Sequence, residues 1–222
     1  MRQAEVILAL DTSTAVASVS LYDGSVSAEL TWYSGRNHSV ELMVQVANLM
    51  QLRRVQSGQL TGIAAATGPG SYTGLRVGLA AAKGLCLALK VPIIGVCTLD
   101  ILAEAHRELG LPVRPVLDVG RRRYATADYR VRDGAFQRVS DVEGMRLPEI
   151  VAGIREETLL CGDLSELRVG GEVDNPLVRV ASPASSLRRA GYLAEIAWRL
   201  FQAGHVQDPK QVEAIYLGRE GG

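Results

Sequence analysis

The chain has 222 residues, 47% of them hydrophobic, with 24 acidic and 24 basic side chains. That length supports one or two domains with a sizeable core, and the charge balance excludes a strong global field for nucleic acid. Three cysteines without paired spacing, Cys86, Cys97 and Cys161, exclude a disulfide framework.

Residues 6–10 are apolar and predict a buried strand ending in Asp11-Thr12-Ser13-Thr14. This run is too short for a signal peptide, and no stretch reaches membrane-spanning length without charge, so a reducing cytoplasm is the expected location. Residues 16–21 and 26–32 alternate around Asp23-Gly24, a hairpin signal.

Residues 39–52 predict a helix of unusual surface. Glu41, Gln45, Asn48 and Gln51 form one thin polar stripe, and the other positions are apolar apart from the first. A helix on a monomer's surface is normally polar over about half its circumference. Residues 62–66 predict the next strand, followed by a second helix over 74–90. Its charges are Arg76, Lys83 and Lys90, at intervals of seven, and its other positions are mostly small or apolar. Two such helices point to burial on two sides, with the chain's own core on one and a partner on the other. Burial between two layers of the same chain is the alternative. Leu42, Val46, Leu49, Leu79, Lys83, Cys86 and Leu87 lie beside or on the polar stripes and are the candidate partner contacts.

Between that strand and helix stands Thr67-Gly68-Pro69-Gly70-Ser71-Tyr72-Thr73-Gly74. Gly68 and Gly70 allow positive φ in a sharp turn, and Ser71 or Thr73 can cap the helix ending at Lys90. A tight structural turn is one reading. An anion site using Gly68, Gly70, Ser71, Thr73 and Gly74 is the other, because helix amides and dipole converge there. No lysine follows in phosphate-loop position, and Pro69 stands where a nucleophile elbow needs glycine.

Residues 92–96 predict a strand and 99–109 a helix. The second half begins similarly: a strand over 113–117 ending in Asp118, and segments 124–131 and 135–139 alternating around Asp133-Gly134. A strand over 158–161 and a long helix over 185–203 follow, and 212–217 reads as a final strand or helical turn. The repeated order predicts an α/β fold of two ribonuclease-H-like subdomains. Their expected extents are 1–101 and 102–209, with 210–222 a candidate addition to the first.

Residues 6–14, Arg36-Asn37-His38-Ser39, residues 68–78 and Tyr216-Leu217 together resemble the TsaB (YeaZ) family in order and spacing. At the start of the second half Asp118-Val119-Gly120 departs from the family's usual Asp-Ala-Arg. The resemblance implies the actin-like, Hsp70-like, sugar-kinase-like (ASKHA) superfold. It implies a bacterial cytosolic, non-catalytic subunit needed to form threonylcarbamoyladenosine next to the tRNA anticodon. The implied partners are the catalytic subunit TsaD, docked on the two helices of the first subdomain, and the ATPase TsaE. A homodimer through the same helices is implied for the chain alone. No cofactor is implied for the chain itself: ATP and threonylcarbamoyl-AMP enter through other subunits, and contact with tRNA is indirect.

The residues carry further readings. His38, His106 and His205 are far apart, with no His-x-x-x-His pair for a metal, so no metal site is expected. Asp11 with Asp118 is the best acid pair, and acids at equivalent strand ends hold magnesium-bound phosphates in actin-like kinases. A nucleotide-dependent phosphotransferase is therefore the alternative function. Against it, Thr12-Ser13-Thr14 is no glycine-bearing phosphate loop, and Gly170-Gly171 has no adenosine-binding context. A direct RNA-binding module is a third reading, from Arg121-Arg122-Arg123-Tyr124 and Tyr129-Arg130-Val131-Arg132. Charges alternating on a hairpin also mark a solvated face.

Overall fold

The computed structural model describes residues 5–169 and 175–217; Gly170-Gly171 lie outside them. In chain order the elements begin with β1 (Val6–Asp11), β2 (Val16–Tyr22), β3 (Val26–Tyr33) and α1 (His38–Arg53). Next come β4 (Leu60–Gly68), α2 (Tyr72–Leu89), β5 (Ile93–Cys97) and α3 (Thr98–Glu104). The chain continues through β6 (Val113–Asp118), β7 (Tyr124–Thr126), β8 (Tyr129–Arg132), β9 (Ala135–Arg138) and β10 (Glu143–Met145). It ends with α4 (Leu147–Ala152), β11 (Thr158–Gly162), α5 (Ser165–Val169), β12 (Val178–Val180) and α6 (Ala190–Gln202).

Two compact units result, one from Met1–Ile101 with Arg188–Tyr216, the other from Leu102–Leu187 with Leu217–Gly222. The first holds a sheet of order β3-β2-β1-β4-β5. β1 runs antiparallel to β2 and parallel to β4, and β4 runs parallel to β5. Alternation along the strands builds two cores. Val6, Leu8 and Leu10 of β1 with Ile63 and Ala65 of β4 meet α1 and α2 on one face. Ile7 and Ala9 with Ala64 and Ala66 meet Leu193, Ala194 and Ala197 of α6 on the other.

This corrects the expected domain boundary: residues 188–209 belong to the first unit, not the second. The sequence order of α6 says nothing of the sheet it covers. The second apolar face of β1, β4 and β5 needs a helix, and α6 supplies it.

The second unit holds a sheet of order β10-β7-β6-β11-β12, with β8 pairing β6 and β9. Its core gathers Val116, Tyr124, Leu147, Ile150, Ile154, Leu160 and Leu164. The α/β class with one sheet per unit is thus the predicted one, but details differ. The strand expected over 124–131 breaks between β7 and β8. There Asp128 turns its amide to the Ser140 hydroxyl (2.9 Å) and its carboxylate to Arg114 (3.0 Å). The helix expected to reach residue 109 stops at Glu104 and resumes only as a 3-10 turn over Arg107–Leu109. Residues 212–217 form neither strand nor helix; there the Ile215 amide donates to the Thr67 carbonyl at 2.7 Å.

Candidate functional site

The end of β1 is locked within the first unit. Asp11 Oδ1 accepts from the Ser13 amide (2.8 Å) and the Ser13 hydroxyl (2.6 Å). Its Oδ2 lies 3.5 Å from Arg188 Nε, and the two side chains are 1% and 5% exposed. Arg188 also donates to the Thr14 hydroxyl. The Asp11 carboxylate is thus engaged by its own strand end and faced by a buried guanidinium. Asp118, in the second unit, is exposed and accepts from the Gly120 amide at 2.7 Å. Arg188 carried no signal in the sequence, since it precedes the helix and lies 174 residues from Thr14 and 177 from Asp11 (188 − 11 = 177). Arg188→Ala would leave Asp11 as a buried, unpaired carboxylate, and should lower stability by about 3–5 kcal/mol. A urea titration of the variant checks this.

The glycine turn fits against that strand end. The Ser71 amide donates to the Ser13 carbonyl (2.7 Å), and the Thr12 hydroxyl donates to the Gly74 carbonyl (2.7 Å). A Cβ at Gly70 would meet the Ser13 carbonyl oxygen, at Gly74 the Thr12 carbonyl oxygen, and at Gly78 the Thr12 hydroxyl. These glycines let α2 approach the β1 end directly. At Gly68, φ is +109° and a Cβ would meet the Ile215 carbonyl. Ser71, not Thr73, caps α2 by accepting from the Gly74 amide at 3.3 Å. The turn thus commits the Ser71 and Gly74 amides to the chain itself, which takes two donors from the anion reading. Gly70→Val should still destabilise the first unit by about 1–3 kcal/mol, measured by thermal melting. The cause is the clash with Ser13 rather than a left-handed φ, since Gly70 at +159° is nearly extended.

The helices α1 and α2 pack side by side on the sheet and show unequal faces. Five of the expected contact residues belong to the core: Leu42, Val46, Leu49, Leu79 and Cys86 are buried against the sheet. Leu87 is 59% exposed, and Lys83 is half-buried. The water-facing side of α1 is instead Val40, Met43, Val44 and Ala47, and that of α2 is Arg76, Ala80, Gly84 and Leu87. Both contain a seam at intervals of four, three and four: Val40-Val44-Ala47-Gln51 on α1 and Arg76-Ala80-Lys83-Leu87 on α2. Such spacing keeps one edge of a helix in line, as in coiled-coil seams. One polar residue misled because it serves the chain's own packing. Glu41 is half-buried and accepts from the Trp32 indole at 2.8 Å, so the first residue of the α1 polar stripe faces β3, while Asn48 and Gln51 are exposed.

The other candidates disperse. His38 and His106 are buried and His205 is exposed. Among the described residues no group of three or more His, Cys, Asp or Glu is placed to hold a metal ion. No helix there is long and apolar enough to cross a membrane. Tyr124 and Tyr129 are buried, so the aromatics expected beside the arginines are core residues unavailable for base stacking. Arg123 donates to the Gly144 carbonyl, and Arg130 pairs with Glu156 at 2.9 Å. Burial pushes the Cys86 thiol up to about 11 and the Cys161 thiol higher still. Both should resist thiol reagents at pH 8 in the native protein and react on unfolding, as a timed labelling experiment would show.

Residues 32–156 match the family model of TsaD, tRNA N6-adenosine threonylcarbamoyltransferase. The tRNA threonylcarbamoyladenosine biosynthesis protein TsaB of Bacillus subtilis is 33% identical over 68% of this chain and 66% of its own length. The protein of the same name from Escherichia coli is 32% identical over 65% of this chain and 64% of its own. The matched segment thus spans just under two thirds of each relative. The solved YeaZ structure from Pseudomonas aeruginosa superposes with a TM-score of 0.82 at 26% identity, covering 96% of this chain and all (100%) of that one.

Proposed function

The chain belongs to the TsaB (YeaZ) family of TsaD-like proteins, and we propose that it is a non-catalytic subunit in the synthesis of threonylcarbamoyladenosine in tRNA. In this reading it docks on the catalytic subunit TsaD through the exposed sides of α1 and α2, and TsaE joins the assembly. The ATP and threonylcarbamoyl-AMP used there enter through other subunits. Alone, the chain pairs with a second copy through the same face. The observation that carries the proposal is the pair of exposed seams, which present Val40, Val44, Ala47, Ala80 and Leu87 to water on adjacent helices. Apolar surface of this kind is stabilised by about 25 cal/mol per Å² when a partner covers it. A non-catalytic role is supported by the ion pair of Asp11 with Arg188 and by buried thiols whose pKa values are raised.

The test is reconstitution with TsaD and TsaE from the same organism, following threonylcarbamoyladenosine in tRNA. Modification should depend on this chain, and the chain should co-purify with TsaD. Full-rate modification without it would overturn the role. Magnesium-dependent ATP turnover by the pure chain, lost in Asp11→Ala, would overturn the non-catalytic reading.

A further inference from the structure

The α2 seam is not purely apolar. Arg76 and Lys83 stand in it, seven residues apart, which is about 10 Å along a helix. Arg76 is held in place by Tyr72, whose ring centroid lies 3.9 Å from its guanidinium carbon, and Tyr72 in turn packs at a tilt against Tyr216, 5.1 Å between centroids. Arg76 and Lys83 line one shallow groove of about 440 Å³ with Leu79, Ala80, Val212 and Tyr216. Glu213 is the one carboxylate in that lining, and it forms no ion pair with either cation among the described residues. No acid lies on α2, and Glu41, the acid of α1, is engaged by Trp32.

Covering this face therefore removes from water two cations against one carboxylate. A buried charge without a partner is strongly unfavourable. A second copy of this chain brings the same two cations and the same carboxylate, so self-pairing doubles the excess. Building on the docking role proposed above, we infer that the surface of TsaD seated here is an apolar one bearing carboxylates opposite Arg76 and Lys83. The cations set partner choice: they favour the acidic heterologous surface and weaken self-association.

The two equilibria should then respond oppositely to neutralisation. In Arg76→Met/Lys83→Met, affinity for TsaD from the same organism should fall by roughly tenfold or more, with a shallower salt dependence. Self-association of the double variant, followed by sedimentation, should become tighter than that of the wild-type chain. Lys83→Glu should weaken TsaD binding further. Circular dichroism should match wild type in each case, since both side chains lie on the solvent side of α2. TsaD binding that is unchanged or tighter in the double variant, beside a Val44→Arg variant that fails to bind, would overturn the charge inference and keep the docking face. Undiminished binding by Val44→Arg itself would overturn the face, and the inference with it.

Discussion

Val44→Arg is expected to leave the first unit folded and to abolish support for tRNA modification. Val44 is 54% exposed at the centre of the α1 seam, so an arginine there reaches water in the free chain. Surface changes of this kind shift stability by no more than about 0.5 kcal/mol. In the docked state the same guanidinium would be enclosed by an apolar partner without a carboxylate placed for it. The cost is several kcal/mol, and about 3 kcal/mol already weakens binding more than a hundredfold. Melting temperature, pull-down with TsaD and the modification assay together check this. A folded Val44→Arg that supports modification at the wild-type rate would place the partner elsewhere.

Leu49→Arg should behave in the opposite way and fail to fold. Leu49 sits on the same helix, five residues on, yet is 4% exposed and packed in the core between α1 and the sheet. Removing a buried leucine forfeits about 2–3 kcal/mol, and enclosing an unpaired charge adds several more. The sum approaches the whole stability of an ordinary domain, about 5–15 kcal/mol. Circular dichroism and proteolysis should report a largely unfolded first unit. Wild-type melting of Leu49→Arg would mean that the helix faces are assigned the wrong way round. The pair of variants therefore separates loss of docking from loss of fold, which either alone leaves confounded.

The contrast between Val44 and Leu49 shows where sequence reading reaches its end. Periodicity identified α1 and α2, and composition marked them as too apolar for a simple surface. Neither determined which apolar side faces the sheet. The polar stripe of α1 looked like its wet centre, but Glu41 satisfies the Trp32 indole of β3 inside the same unit. A polar residue can be held by a neighbouring strand, and the sequence does not contain that neighbour's position. Leu42, Val46, Leu49, Leu79 and Cys86, expected as contacts, pack instead in the core of the first unit, while Leu87 lies at the surface.

What the sequence by itself determined is local. It determined the strand ending in Asp11, the Asp23-Gly24 hairpin, the Gly68-Pro69-Gly70 turn with Ser71 or Thr73 as cap, and the two-unit α/β order, because alternation, turn chemistry and capping act over a few residues. Tertiary structure alone decided the rest. It brought Arg188 onto Asp11 across 177 residues of chain (188 − 11 = 177), set α6 against the first sheet, and pressed Ser13 onto Gly70 of the turn and Thr12 onto the glycines of α2. It also left Val40, Val44, Ala47, Ala80 and Leu87 in water. Each of these depends on which surfaces the sheet brings together, and burial is a property of that assembly rather than of any residue in the line.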